Sequence, residues 1–461
     1  MVRNKNHAET IKLSCALITS FGDNKLACME ETKMKKIKRI SICAALAIFC
    51  LPAFADNRTP ETNALVSAEW HSLVDPLGPI AEKVAGYLSD PNDPQLRREM
   101  YRALFSGISL GYLGLTNSDP KHPDFFPYTT QAYNAFSNNP DDDYYVVPIE
   151  DGAVYKITGF RGTVKKVDFQ IGAGMLIPRG IVDEYYLGKN LGNYDLNDDV
   201  HLRKDGSFEV ILSAERPAGY KGDWWLMKPG VSNILVRQIS YDWVHEVDAR
   251  LAIERLDTPA VKPRPSAEQL EANLRQIAGW TETTVKASAQ FIKSIRSEMG
   301  INKIAYKNMA AYAGHLTQRY AYGGFDLKPD EALVVEAKVP KQCRYWSIHL
   351  VDDFGYMIDW MNRQTNINGF NAKIDKDGVF RAVISAQDPG VPNWLDTAGY
   401  KTGAIQVRWE KCNEWPDHKA SLIKVADVRN VLPRETPTVT AEARDASIRM
   451  RRRGAQMRKR W

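Results

Sequence analysis

Apolar residues recur along this chain at two different spacings, and the changes between them mark out its elements. Leu77, Ile80, Ala81, Val84, Ala85 and Leu88 fall three and four apart, the spacing of one helix face. Asp93-Pro94 then offers an N-cap followed by proline in the first turn. Leu96, Met100, Ala103, Leu104, Gly107 and Ile108 continue as the face of that second helix. From about 117 to 143 prolines, asparagines and aspartates interrupt every period, so this stretch reads as loop. Short strand-like runs follow at 144–149 and 154–160, around the turn Asp151-Gly152, and at 164–171, 208–212 and 234–240. Residues 259–265 hold three prolines and read as a linker. Ser266 with Gln269 three positions on forms a capping box. It opens a helix through Leu270, Leu274, Ile277, Val285, Ile292 and Ile295, ending near Gly300. Strand-like runs return at 332–339, 345–351, 356–360, 380–384 and 404–409.

Strands clustered in two blocks predict a mainly β (α+β) protein, not a βαβ fold. The expected architecture is two β-sandwich or jelly-roll-like domains with an N-terminal helical segment and a connecting helix. The boundaries are 56–128 for the helical segment, 129–258 for the first sandwich, 259–320 for linker and helix, and 321–415 for the second sandwich. Residues 416–461 are expected to be a disordered basic tail. No short fixed repeat is present, although the two β blocks leave room for a distant duplication.

The N-terminus adds a location. A basic start at Met34-Lys35-Lys36 leads into an apolar run at 40–51 and then Ala53-Phe54-Ala55. These are the parts of a secretory signal peptide at 34–55, with cleavage between Ala55 and Asp56. The run is shorter than the ~20 residues that span a bilayer. Residues 1–33 look like neither leader nor domain, and the natural start is expected at Met34. The implied location is periplasmic or secreted.

Cleavage leaves 52 Lys/Arg against 52 Asp/Glu. Residues 444–461 are strongly basic, with Asp445 their only acid, so the body before them is acidic. An acidic body argues against nucleic acid as a partner. The basic end reads as a solvated tail, or as a surface contact with anionic lipid or polysaccharide. Two cysteines remain, Cys343 and Cys412. An oxidising compartment allows one disulfide between them, and two buried thiols are the alternative.

No nucleophile elbow, phosphate loop, dinucleotide fingerprint or paired-histidine metal motif is present. His349 precedes Asp352-Asp353 on a predicted strand; with Asp352 or Asp396 it is the weak candidate for acid–base catalysis. A hydrogen-bonded structural histidine is the competing reading. The candidate ligand-binding residues are Trp346, Asn393, Trp394 and Asp396. The last three lie in a loop that two prolines and two glycines hold irregular, and loops on a rigid sheet concentrate binding residues. Tyr345, Trp346, Tyr356, Trp360, Trp394, Trp409 and Trp415 make the second β block dense in aromatic rings. Such rings stack on sugars when exposed and fill cores when not. No metal or cofactor is implied. Asp195-Leu196-Asn197-Asp198-Asp199 resembles the start of a calcium loop but lacks its glycine and glutamate, and a solvated acidic loop explains it better. Asp141-Asp142-Asp143 reads the same way.

The segment from Val391 to Gly399, with Val407-Arg408-Trp409, Asp330-Glu331-Ala332-Leu333 and Arg344-Tyr345-Trp346, resembles the domain of unknown function 1214 family. The likeness extends back through Leu235-Val236-Arg237-Gln238, Asp242-Trp243, Ile253-Glu254-Arg255-Leu256, Arg161-Gly162-Thr163 and Asn139-Pro140-Asp141-Asp142, covering about 95–412. It implies β-sandwich or jelly-roll domains with helical additions, and no catalytic residue or cofactor that can be carried over. The expectation is an exported protein binding a carbohydrate or other small polar or aromatic ligand through its second β domain. The rivals are a periplasmic hydrolase or lyase, and an envelope assembly component docking through its tail.

Overall fold

A computed structural model describes residues 59–117, 119–130, 133–174, 189–309 and 314–458. The leader, its cleavage site and residues 1–33 lie outside the described residues.

Helix α1 (Pro60–Val74) and the short α2 (Ile80–Ala85) lead to α3 (Pro94–Thr116). The Asp93 carboxylate accepts from the amides of Gln95 and Leu96, so α3 starts where the Asp-Pro pair places it. Helix α3 packs on α4 (Ala267–Met299), which the Ser266–Gln269 capping box opens. Small residues set the distance between these two helices. A Cβ on Gly111 would stand 2.7 Å from the Trp280 ring.

The first sandwich pairs a five-stranded with a four-stranded sheet. The five-stranded sheet runs β1 (Phe126–Pro127), β2 (Asp142–Pro148), β8 (Asn233–Ile239), β4 (Lys166–Ala173), β5 (Lys189–Asp195). The other runs β7 (Asp223–Leu226), β6 (Ser207–Ser213), β3 (Tyr155–Phe160), β9 (Arg250–Arg255). Val147, Tyr155, Phe169, Val210, Trp225 and Val236 meet between them as one apolar core. Trp225 points inward while Trp224 is half-buried on the other face, as adjacent strand residues must.

The second sandwich repeats this plan strand for strand. Its five-stranded sheet is β10 (Ala305–Lys307), β11 (Gln318–Asp326), β17 (Thr402–Cys412), β13 (Cys343–Val351), β14 (Asn366–Asn368). Its four-stranded sheet is β16 (Trp394–Asp396), β15 (Val379–Ser385), β12 (Glu331–Lys338), β18 (His418–Lys424). Each strand number exceeds its counterpart by nine. The parallel pair β6–β7 also recurs as β15–β16. The two sandwiches therefore share one topology, and α4 sits between them in the chain. Cys343 and Cys412 stand opposite each other on β13 and β17 and are joined by a disulfide.

The C-terminal segment is ordered, which corrects the expected disordered tail. Strand β18 pairs with β12, and α6 (Ala441–Met457) follows α5 (Val428–Val431). Arg444, Arg451 and Arg458 are spaced by seven, so they share one helix face. Arg444 pairs with Asp388 at 2.9 Å and lies over the Trp394 ring. Arg451 lies over Trp243 and donates to the Trp360 carbonyl and the Asn366 side chain. Arg458 pairs with Asp143 at 3.3 Å, both side chains almost fully buried. Part of the basic run leaves solvent because Arg444, Arg451 and Arg458 find acceptors on both sandwiches; Arg449 and Arg453 remain exposed.

Arg458→Met should destabilise the fold by roughly 3–5 kcal/mol, because it removes the buried guanidinium that faces Asp143 and Asp248. Adding Asp143→Asn should recover part of that loss. Chemical denaturation of the two variants checks this; equal stability of the single and double variants would contradict it.

Candidate functional site

The two five-stranded sheets face each other, and the layer between them is polar. Lys166 of β4 reaches Glu410 of β17 at 2.6 Å. Asp168 meets His315 at 2.7 Å, and the Tyr345 hydroxyl donates to Asp141 at 2.7 Å. Asp141 also accepts from Trp243 Nε1, Asn366 Nδ2 and Asn368 Nδ2. Asp141-Asp142-Asp143 is thus a buried run that leads from a turn into β2, not the solvated loop expected from its composition. Such charges tolerate burial only when paired or fully hydrogen-bonded. Burial by itself would raise the Asp168 carboxyl, but His315, Lys166 and Arg237 outweigh it and hold it well below the usual range.

A cavity of about 90 Å³ opens in this layer. One water needs roughly 10–15 Å³ on the same measure, so several waters or a small organic molecule fit. Asp142, Tyr144, Leu235 and Arg237 line it from the first sandwich; Gln318, Tyr320, Tyr322, Gln406 and Arg408 line it from the second. Phe291 of α4, Tyr128, the 136–138 turn, Met309 and Gly314 line the rest. Phe136 and Ser137 have φ of 57° and 54°, the left-handed region that non-glycine residues seldom occupy. Their strained turn aims the Ser137 carbonyl at the Arg408 guanidinium, which donates to it at 2.7 Å.

Burial pushes Asp142 up to about 6, with Arg408 and Arg237 pulling the other way. Burial, and then Arg408, hold the His349 imidazole well below its ordinary value, so the ring is neutral. Its Nδ1 lies 3.0 Å from Arg408 Nη1 and serves as an acceptor. Gln406 Nε2 donates to the Tyr322 hydroxyl at 2.6 Å, while Gln406 Oε1 and Ser137 Oγ find no partner among the described residues.

The residues singled out in sequence do not assemble into one site. His349 is buried beside Arg408. Asp352 faces Arg102 at 3.6 Å and caps the backbone of Phe354 and Tyr356. Asp396 pairs with Arg363 at 2.8 Å. Trp346 is buried in the second core, stacked on Trp409 at 5.3 Å. The Asn393 amide bonds the carbonyls of Lys373 and Arg381, and Trp394 Nε1 donates to the Ser385 carbonyl. These side chains hold the 388–399 loop in place, and none of them lines the cavity. Of the aromatic set only Trp415 is exposed, so no stacking platform for sugars forms there. The acidic turn at 195–199 is occupied by Arg344 and Lys411. Among the described residues no group of three or more His, Cys, Asp or Glu is arranged to hold a metal.

Sequence reading missed Arg237 and Arg408 as site residues, though both fall in segments that carry the family likeness. A faint signal was there: Val236-Arg237 and Val407-Arg408 are the same dipeptide on strand-like runs.

Residues 324–409 match the family described as "Protein of unknown function (DUF1214)". That span runs from β11 to β17 and takes in His349, Gln406 and Arg408. The crystal structure of an uncharacterised protein from Burkholderia cenocepacia is similar at 27% identity and a TM-score of 0.71, covering 80% of this chain and 99% of that one. A Vibrio parahaemolyticus protein matches at 13% identity and a TM-score of 0.39, covering 70% and 98%, too loosely to carry an argument. No curated protein matches the sequence.

Asp352 gives the fold a testable pH dependence. Burial raises its carboxyl from 3.8 to about 7, against the pull of its backbone hydrogen bonds and Arg102. The folded state therefore holds the proton more tightly than the unfolded chain. Its stabilising effect is complete below about pH 4 and is lost as pH rises to about 7. Asp352→Asn should flatten the decline in stability between pH 5 and 8 and be the more stable form at pH 8. Unfolding midpoints across that range check this; parallel curves would contradict it.

Proposed function

We propose that this chain, whose second sandwich matches a family of unknown function, is an exported small-molecule-binding protein with its ligand between the two sandwiches. One observation carries the reading: a cavity of ligand size on which polar groups converge from both sandwiches, with Phe291 of α4 as part of its aromatic wall. Binding sites favour such junctions, where rigid elements meet and a few polar groups sit among aromatic walls. The aromatic and guanidinium lining favours a small polar or aromatic ligand over an extended glycan. The exported location rests on the signal-peptide pattern at 34–55.

Gln318 offers a way to close the site. It is half-buried at the start of β11 and lines the cavity. Gln318→Trp should change the unfolding temperature of the free protein by no more than about 2 °C, as expected of a substitution outside the core. A thermal-shift screen of sugars, organic acids, aromatic acids and lipids should give at least one stabilising class. At 100 times its Kd such a ligand adds roughly 2.7 kcal/mol, a shift of a few degrees. Loss of that shift in Gln318→Trp supports the cavity as the site; an undiminished shift places the ligand elsewhere.

A further inference from the structure

The shared topology allows the two arginines of the cavity to be compared position by position. Arg237 stands on β8 opposite Tyr144 of β2 and Asp168 of β4. Arg408 stands on β17 opposite Tyr320 of β11 and Ser347 of β13. The two guanidinium carbons lie 6.0 and 5.9 Å from the rings of Tyr144 and Tyr320. Each arginine also bonds the residue two places further along the neighbouring strand. Arg237 donates to Gln170 at 2.8 Å, and Arg408 meets His349 at 3.0 Å. Ring, arginine and flanking acceptor are thus duplicated. The counter-ion is not. Arg237 has the Asp168 carboxylate at 3.5 Å, whereas the matched position beside Arg408 is Ser347.

The consequence is a buried guanidinium whose hydrogen bonds all go to neutral groups; the Asp142 carboxylate, across the cavity, acts on it only through space. Arg408 is 5% exposed. Its hydrogen bonds go to a carbonyl and a neutral imidazole, and among the described residues no carboxylate lies within 4 Å of it. The Ser347 side chain is fully buried and carries no charge. A guanidinium in low dielectric gains most from an oxygen anion that meets its fork with two hydrogen bonds. The cavity into which Arg408 opens is walled elsewhere by Tyr128, Phe291 and Tyr322, which suit an apolar or aromatic body.

We propose that the ligand is a small carboxylic acid with an apolar body, its carboxylate taking beside Arg408 the place that Asp168 fills beside Arg237. This rests on the cavity being the ligand site. His349 and the Ser137 carbonyl then act as positioning groups that hold the Arg408 fork toward the ligand.

The test is calorimetric titration of the full chain with benzoate, its neutral counterpart benzamide, butyrate and inorganic phosphate. Benzoate should bind, and benzamide and phosphate should bind at least about tenfold more weakly, the discrimination expected of one charge-assisted fork. Ser347→Asp supplies the missing counter-ion from within the chain. It should weaken benzoate at least about tenfold and leave benzamide unchanged. Should that variant fail to fold, Arg408→Lys decides. It keeps the charge but loses the fork, and should weaken benzoate by about tenfold with benzamide again unaffected. Benzamide binding as tightly as benzoate, with both blocked by Gln318→Trp, overturns the carboxylate while leaving the cavity as the site. Phosphate binding more tightly than benzoate overturns the organic acid. Benzoate binding that survives Gln318→Trp overturns both this proposal and the cavity reading. Absence of binding by benzoate and butyrate alike overturns the carboxylic acid and leaves the cavity to be judged on neutral ligands.

Discussion

The burial of charge between two sheets is the constraint on which the rest of the molecule depends. Two sandwiches of identical topology each have an apolar core of their own, so neither needs the other to bury its hydrophobic face. They are joined by an apolar cluster around Trp243, Phe291 and Trp360 and by a layer of carboxylates, arginines, a lysine and tyrosines that must satisfy one another out of water. Each unpaired group there costs far more than an exposed ion pair gains. Partners must therefore come from wherever they can reach: β4 to β17, β2 to β13, and α6 to both. The arginines of α6 belong to this same layer. They close it at one end, where Arg451 and Arg458 meet the polar residues around Asp141 and Asp143.

A layer that specifies so many partners also leaves room for one that the chain does not supply. The shared topology explains how. Two sheets of one plan, placed face to face, bring matched arginines to the same space. The difference at the matched partner position then separates their surroundings. The arginine beside Asp168 is neutralised within its own sandwich. The arginine beside Ser347 is held by uncharged acceptors and faces a cavity. On the proposed reading the first is a structural cation and the second meets the ligand. The geometry that fixes both is the same ring, strand register and acceptor.

Much of the fold was legible in the sequence because it rests on local signals. Asp93-Pro94, the Ser266–Gln269 box and the Gly/Asp turns act within a few residues, and the structure places helices and strands accordingly. The site was not legible, for a physical reason. Gln406, Arg408 and Glu410 alternate with Ile405, Val407 and Trp409, the pattern of a strand with one face in water. Here the polar face meets a second polar face, and alternation cannot tell water from a partner sheet. The same ambiguity hid Asp141-Asp142-Asp143 and the arginines of the C-terminal helix. Conversely, Trp394 and Asn393 drew attention because rigid loops often bind ligands, but this loop consumes its own polar groups. Local chemistry identified the elements; the pairing of distant elements decided which side chains face a cavity.

The most direct measurement is a crystal structure of the full chain grown with 4-bromobenzoate, whose bromine can be located by its anomalous scattering. The account predicts bromine among Tyr128, Phe291 and Tyr322, with carboxylate oxygens about 2.7–2.9 Å from the Arg408 guanidinium nitrogens. A cavity filled by water alone, with bromine on the outer surface or nowhere ordered, would contradict it.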